Sequence, residues 1–127
     1  ALLDERPVVR SDGTLRRDYF YVRDAVSAYL TLADRLPGDE LAGEAFNFGN
    51  EHPMTVLEVV RVILRTMGKS SLEPLILNEA TGEIADQYLD CSKARRRLQW
   101  TPRYTFEDGL AETIPWYREH LAAGSAS

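Results

Sequence analysis

The chain has 127 residues, 44% of them hydrophobic and 28% charged, with a net charge of -5. That length and balance suit one globular domain or a piece of one and weigh against the disordered classes, and no apolar run approaches the roughly 20 residues that cross a bilayer. The acidic surplus works against non-specific nucleic-acid binding, which needs a surplus of lysine and arginine facing phosphates.

In chain order, Ser11-Asp12-Gly13-Thr14 has the chemistry of a tight turn. It separates Pro7-Val8-Val9 from the aromatic and β-branched Asp18-Tyr19-Phe20-Tyr21-Val22, so two short strands joined by a turn are predicted. Asp24 can cap a helix over about 25–36 whose apolar positions Val26, Tyr29 or Leu30, Ala33 and Leu36 recur at helical spacing, and Pro37-Gly38 stops it. Ala45-Phe46-Asn47-Phe48, bounded by Gly43 and Gly49, reads as a strand. Thr55 and Glu58 form a capping box ahead of Val56, Val59, Val60, Ile63 and Met67, which predicts a helix from 55 to Gly68. Leu75-Ile76-Leu77 and Gln87-Tyr88-Leu89 are further strand candidates, and Ser92 can cap a short basic helix ending near Trp100, before Pro102. Thr105 and Asp108 make an acidic cap for a last helix over 106–122, with Phe106, Leu110, Thr113, Tyr117 and Leu121 as its stripe. Pro115 removes one helical hydrogen bond and predicts a kink there, and residues 124–127 read as a disordered tail after a domain spanning 1–123.

Local chemistry gives no complete active site. Neither G-x-G-x-x-G nor G-x-x-x-x-G-K-[ST] is present, and His52 and His120 stand at no metal-ligand spacing, so no metal is expected. Cys91, the single cysteine, excludes an internal disulfide and reads as a small residue at a strand-to-helix junction rather than a nucleophile. Glu79, Glu83 and Asp86 cluster without the alternating oxygen pattern of a calcium loop. The basic run at 93–97 reads as a solvated helix face, with a phosphate patch as the weaker reading. Residues 1–10 show no secretory leader pattern and no initiator methionine, which reads as a fragment or processed product with the cytoplasm as default compartment.

Arg17-Asp18-Tyr19-Phe20-Tyr21-Val22-Arg23-Asp24 resembles the R-D-[FYW]-x-[YH]-V-x-D segment of the extended short-chain dehydrogenase/reductase family, the sugar-nucleotide epimerases and dehydratases. Further segments follow in the family's order: Phe46-Asn47-Phe48-Gly49, Thr55-Val56-Leu57-Glu58-Val59, Asp90-Cys91-Ser92-Lys93-Ala94 with Leu98-Gln99-Trp100-Thr101-Pro102, and Glu107-Asp108-Gly109-Leu110 with Thr113-Ile114-Pro115-Trp116-Tyr117. The resemblance implies an α/β fold: the C-terminal substrate-binding part of such an enzyme, a small mixed sheet packed with about four helices. A Rossmann domain holding NAD or NADP and a Tyr-x-x-x-Lys pair would lie outside this segment, so the segment alone is expected to be inactive. It also implies that Arg17 reaches the diphosphate of a nucleotide-diphosphate sugar and that residues 8–10, Val9 and Arg10 among them, lie near the nucleobase. Paired charge-assisted hydrogen bonds to phosphate suit a guanidinium, although Arg17 beside Arg16 also reads locally as an exposed strand-edge arginine.

The chain departs from the family in two places. A second phosphate-binding arginine, usual in an R-x-[GT]-[DE] loop, has no counterpart in Asn78-Glu79-Ala80-Thr81-Gly82-Glu83, and Gln99 replaces a glycine before Trp100. The stretch at 72–80 with Gln87-Tyr88-Leu89 resembles the CDP-glucose and GDP-mannose dehydratases, so the activity implied for the parent is 4,6-dehydration: oxidation of the hexose at C4 by hydride transfer to NAD(P)+, loss of water across C5 and C6, and return of the hydride. Sugar-nucleotide 4-epimerase is the alternative, and a non-catalytic nucleotide-sugar binding or assembly module a third reading. By the same resemblance, the helix after Asp24 and the segment at Phe46 and Phe48 pack on the Rossmann sheet, and a homo-oligomer is expected.

Overall fold

The computed structural model describes residues 1–37 and 41–124. Among them the chain runs β1 (Val8–Val9), β2 (Arg16–Arg17), α1 (Val22–Arg35), β3 (Met54–Thr55), α2 (Val56–Thr66), β4 (Leu75–Ile76), β5 (Asp86–Gln87), α3 (Ser92–Leu98) and α4 (Phe106–Gly124). The α/β class and the four helices agree with expectation, but the small mixed sheet is divided in two. β1 pairs in parallel with β4, Val8 opposite Leu75 and Val9 opposite Ile76. β2 lies between antiparallel β3, Arg16 opposite Thr55, and parallel β5, Arg16 opposite Asp86.

The expected pairing across the Ser11–Thr14 turn does not form. The turn itself is present, with Gly13 at φ 86° and the Thr14 amide donating to Asp12 Oδ1 at 2.9 Å. It docks on the start of α2, where the Leu57 amide donates to the Gly13 carbonyl and the Val56 amide to that of Leu15 (both 3.1 Å). The chain is thereby carried from one sheet to the other instead of doubling back. Tyr19-Phe20-Tyr21 have no ladder partner, and two of their rings meet aromatic side chains near α4: Tyr19 lies 6.0 Å from Phe106 and Tyr21 5.1 Å from Tyr104. Residues 45–48 likewise form no strand; Phe46 and Phe48 pack on the core, with the Lys93 ammonium 4.7 Å over the Phe46 ring.

The helix starts show how far local capping carries. In α2 the Thr55 hydroxyl accepts from the Glu58 amide while the Glu58 carboxylate accepts from the Thr55 amide at 2.7 Å, the reciprocal box that the sequence predicts. Thr105 and Asp108 repeat it at α4, with 3.0 and 3.1 Å bonds, and α4 carries Pro115 within it to Gly124. α1 begins at Val22, two residues before Asp24, with Tyr21 as an N-cap whose side chain makes no capping bond. Asp24 is spent elsewhere. In α3 the cap is Cys91 rather than Ser92, and the Ser92 amide donates to Asp90 Oδ1 at 2.7 Å. Gly38 and residues 125–127, where the stop of α1 and most of the tail were expected, lie outside the described residues, and Gly124 belongs to α4.

The core joins α1 to α3: Ala28, Leu41, Ala94, Leu98 and Trp100 are buried together, with Leu32, Phe46 and Phe48 against them. α1 therefore turns inward through Asp24, Ala28 and Leu32, and its expected apolar stripe faces outward, with Val26, Tyr29 and Leu30 all more than half exposed. In α2 the buried residues are Val59, Val62 and Leu64, of which the predicted stripe contains only Val59. α2 packs against α4.

Candidate functional site

Arg17 sits on the central strand of the three-stranded sheet, and its guanidinium is held by the loop that leads into β5. Nη1 donates to the carbonyls of Arg16 and Ile84 (both 2.8 Å) and lies 3.5 Å from that of Ala85. Nη2 pairs with Glu83 Oε2 at 3.2 Å. The Arg17 side chain is 23% exposed and that of Glu83 52%, so the pair lies at the surface on a fixed base. This is more constrained than a free strand-edge arginine. A guanidinium with one terminal nitrogen tied to carbonyls is a preorganised donor, since less rotamer freedom is lost when an anion arrives.

The other two residues singled out in the sequence lie on the first sheet. Val9 is 3% exposed, so its side chain belongs to the interior and gives a ligand no apolar contact. Its carbonyl accepts from the Leu77 amide at 2.8 Å. Arg10 is exposed, and its carbonyl accepts from the amides of Glu79 (2.7 Å) and Ala80 (3.1 Å). One segment, 77–85, thus bonds to Val9 and Arg10 at its start and to Arg17 at its end, which connects all three across two sheets.

The remaining acidic and aromatic residues of the quoted motifs act as wiring. The Asp18 carboxylate accepts from the amides of Asn50 (3.2 Å) and Glu51 (3.0 Å), and Gly49 passes so close that a Cβ there would collide with it. Glu51 in turn accepts from the Cys91 amide at 3.1 Å and pairs with Arg95. Asp24, fully buried, accepts from the amides of Arg103 (2.9 Å) and Tyr104 (3.2 Å). Trp100 Nε1 donates to the Ser27 hydroxyl at 2.9 Å.

Sequence reasoning missed a groove of about 800 Å³ that starts at Asp18 and runs between the Tyr19-Phe20-Tyr21 segment and α4. Its wall includes Phe106, Leu110, Thr113 and Tyr117, four of the five positions predicted as the α4 core stripe. The periodicity was a usable signal; what it lined was a groove. Tyr21 Oη donates to Glu112 Oε2 at 2.8 Å, and Arg23 pairs with the same carboxylate at 2.8 Å. That acceptor holds the Tyr21 proton and raises its pKa.

Catalytic alternatives find no support in the geometry. Burial first, then the carboxylates of Glu51 and Asp18, push the Cys91 thiol up to about 11, so it is not an activated nucleophile. His120 stacks on Trp116 at 5.0 Å, whereas His52 lines a different groove. Among the described residues no three His, Cys, Asp or Glu side chains are grouped to hold a metal ion, and no helix is long and apolar enough to cross a membrane. Within the basic run, Lys93 and Arg97 both pair with Glu44 and Arg95 pairs with Glu51.

None of the described helices starts like the glycine-rich pyrophosphate seat of a dinucleotide-binding motif. A helix N-terminus that receives a pyrophosphate favours free amides without negative charge, but α1 carries Asp24 in its first turn, α2 Glu58, and α4 Glu107 and Asp108. α3 has seven residues and no glycine at its start.

Comparison with known proteins gives a consistent result. The family described as GDP-mannose 4,6 dehydratase matches residues 2–113. A dTDP-glucose 4,6-dehydratase of Actinoplanes sp. is 35% identical over 118 residues, covering 92% of this chain and 36% of the relative. Among solved structures, UDP-glucose 4-epimerase of Thermotoga maritima with UDP-glucose superposes with a TM-score of 0.83 at 32% identity, over 94% of this chain and 37% of that one. The dTDP-glucose 4,6-dehydratase of Bacillus anthracis in complex with NAD gives 0.77 at 30% identity, over 93% and 36%. The chain spans about a third of the length of these relatives and matches their C-terminal parts. With its five ordered motifs wired into one α/β unit and a family match across most of its length, the chain belongs to the sugar-nucleotide dehydratase/epimerase family of extended short-chain dehydrogenases/reductases.

Proposed function

We propose that this chain is the substrate-binding part of an NAD(P)-dependent sugar-nucleotide 4,6-dehydratase, in which Arg17 donates to the diphosphate and the end of β1, through Arg10 and the backbone at Val9, faces the nucleobase. The observation that carries the reading is the anchored guanidinium of Arg17, half-enclosed by the 77–85 loop that also bonds to Val9 and Arg10. A diphosphate brings charge and several acceptor oxygens to such a donor, and charge-assisted bonds of this kind are shorter and stronger than neutral ones. The nicotinamide cofactor, NAD or NADP, belongs to the remainder of the enzyme, a reading supported by the acidic starts of α1, α2 and α4. The role of this segment is to bind and orient the sugar nucleotide, in a homo-oligomeric cytoplasmic enzyme.

Dehydration is supported by the description of the matching family and by the dehydratases among the relatives. A 4-epimerase is the second reading, favoured by the higher TM-score of the UDP-glucose 4-epimerase. The complete protein, incubated with NAD(P)+ and a panel of UDP-, dTDP-, GDP- and CDP-hexoses, separates the two by chromatography that resolves C4 epimers, coupled to mass spectrometry. A dehydratase yields a product lighter by one water, and an epimerase a product of unchanged mass that differs at C4. No turnover of any hexose, with binding retained, would instead favour a non-catalytic binding module. In the same protein Arg17→Ala is expected to weaken sugar-nucleotide binding by about 1.5–3 kcal/mol, roughly ten- to a hundredfold, with cofactor affinity unchanged. Calorimetry that finds substrate affinity intact in a folded variant removes Arg17 from the site.

A further inference from the structure

The loop that steadies Arg17 also presents it with a competitor. Two carbonyls of that loop meet Nη1, whereas Nη2 meets a side chain, the Glu83 carboxylate. The surroundings reinforce the negative charge, since Asp86 lies 3.8 Å from Arg16 on the adjoining strand and Glu79 belongs to the same loop. No lysine or arginine occurs between residues 70 and 92, so the loop contributes no cation of its own to an incoming anion. Glu83 is half-exposed on a loop next to Gly82, at φ 73°, and its carboxylate can swing into solvent without disturbing the carbonyl bonds that fix Nη1.

We propose that Glu83 is a placeholder for the diphosphate: it neutralises and orients Arg17 in the free enzyme and must leave Nη2 when the nucleotide sugar binds. This rests on the assignment of Arg17 to the diphosphate. Glu83 then sets affinity by competition for Nη2, while the carbonyls of the loop keep Nη1 in place. A carboxylate on the donor makes the site selective for ligands that bring more negative charge than one carboxylate, such as a diphosphate. Its removal frees the donor and relieves repulsion at the same time.

The test is calorimetry on the complete enzyme with UDP-glucose and dTDP-glucose, comparing Glu83→Gln, Glu83→Lys, Arg17→Ala and the double variant Arg17→Ala/Glu83→Gln. Glu83→Gln is expected to bind about two- to fivefold tighter, the range that an exposed ion pair holds back. Glu83→Lys, which turns the competitor into a second cation, is expected to gain about tenfold. In the Arg17→Ala background the gain from Glu83→Gln should shrink to the smaller part owed to relief of repulsion alone. Unchanged or weaker binding by Glu83→Gln, with Arg17→Ala still impaired, overturns the placeholder and leaves the assignment of Arg17 standing. An equal gain with and without Arg17 also overturns it, because Glu83 would then act only as bulk charge. Full affinity in Arg17→Ala removes the assignment beneath it. Should the glutamine variant melt differently from the parent, Glu83→Ala takes its place in the cycle.

Discussion

Asp18 and Asp24 frame the motif by which the family was recognised, and neither carboxylate is available for chemistry. Each accepts from two successive backbone amides of a distant segment, 50–51 and 103–104. Buried amides left unpaired cost about 1–3 kcal/mol apiece, which is reason enough for an aspartate at each position. Cys91, at the centre of the same wiring, provides a pH test. Its pKa is raised to about 11, chiefly by burial, whereas an unfolded thiol titrates near about 8.5. The folded state keeps the proton where the unfolded state gives it up, so this stability is fully present below about pH 8.5 and is lost as pH climbs through about 11. The denaturant midpoint is expected to fall over that window more steeply in the parent than in Cys91→Ala. Iodoacetamide at about pH 8 should label Cys91 only on unfolding. Native labelling as fast as that of free cysteine would show that the thiol is not held protonated.

Among the elements, the short helix α3 ends on a conformation that its sequence does not favour. Gln99 caps it at φ 54°, ψ 29°, the left-handed region where glycine is normally found. A side chain there costs about 1–2 kcal/mol, whereas glycine costs about 0.5–1 kcal/mol more through the unfolded chain. Gln99→Gly is therefore expected to stabilise by about 0.5–1 kcal/mol and to raise Tm by about 3 °C; a lower Tm would mean that the Gln99 side chain makes a compensating contact. Gln99 was visible in the sequence as a departure, and its consequence follows from the backbone. Capping boxes were legible for a similar reason: Thr55 with Glu58 and Thr105 with Asp108 each close within four residues. Strand pairing was not, because each described strand has two residues and its partner is chosen by distant segments, as when β1 passes over the nearby β2 for β4. Arg17 itself could be picked out by its motif, but the Ile84 and Ala85 carbonyls and its Glu83 partner lie 66 to 68 residues away in sequence.

At the scale of the whole molecule, the face of α1 that the sequence marks as apolar is uncovered. Val22, Val26, Tyr29 and Leu30 recur at helical spacing and are 63%, 52%, 73% and 60% exposed, while the small Ala28 faces the core. The period of a stripe is written in the sequence, but the direction it faces depends on what else is present to cover it. Trp116 and Tyr117 on the second half of α4 add further exposed apolar surface. At about 25 cal/mol per Å² of apolar area removed from water, covering such a face is favourable, and a contiguous patch on an otherwise charged surface usually marks an interface. In the complete enzyme we expect the α1 face to lie against the cofactor-binding part. A protein of these 127 residues alone has only another copy of itself to use, so it is expected to self-associate as its concentration rises, by face-to-face contact or exchange of elements. Sedimentation velocity over a concentration series measures this, and Val26→Lys with Leu30→Glu should shift the distribution toward monomer without loss of helical circular dichroism. These substitutions touch neither Arg17 nor the 77–85 loop, so a complete enzyme carrying them should lose stability before it loses sugar-nucleotide contacts. A 127-residue chain that stays monomeric at high concentration would mean that the α1 face tolerates water and needs no cover.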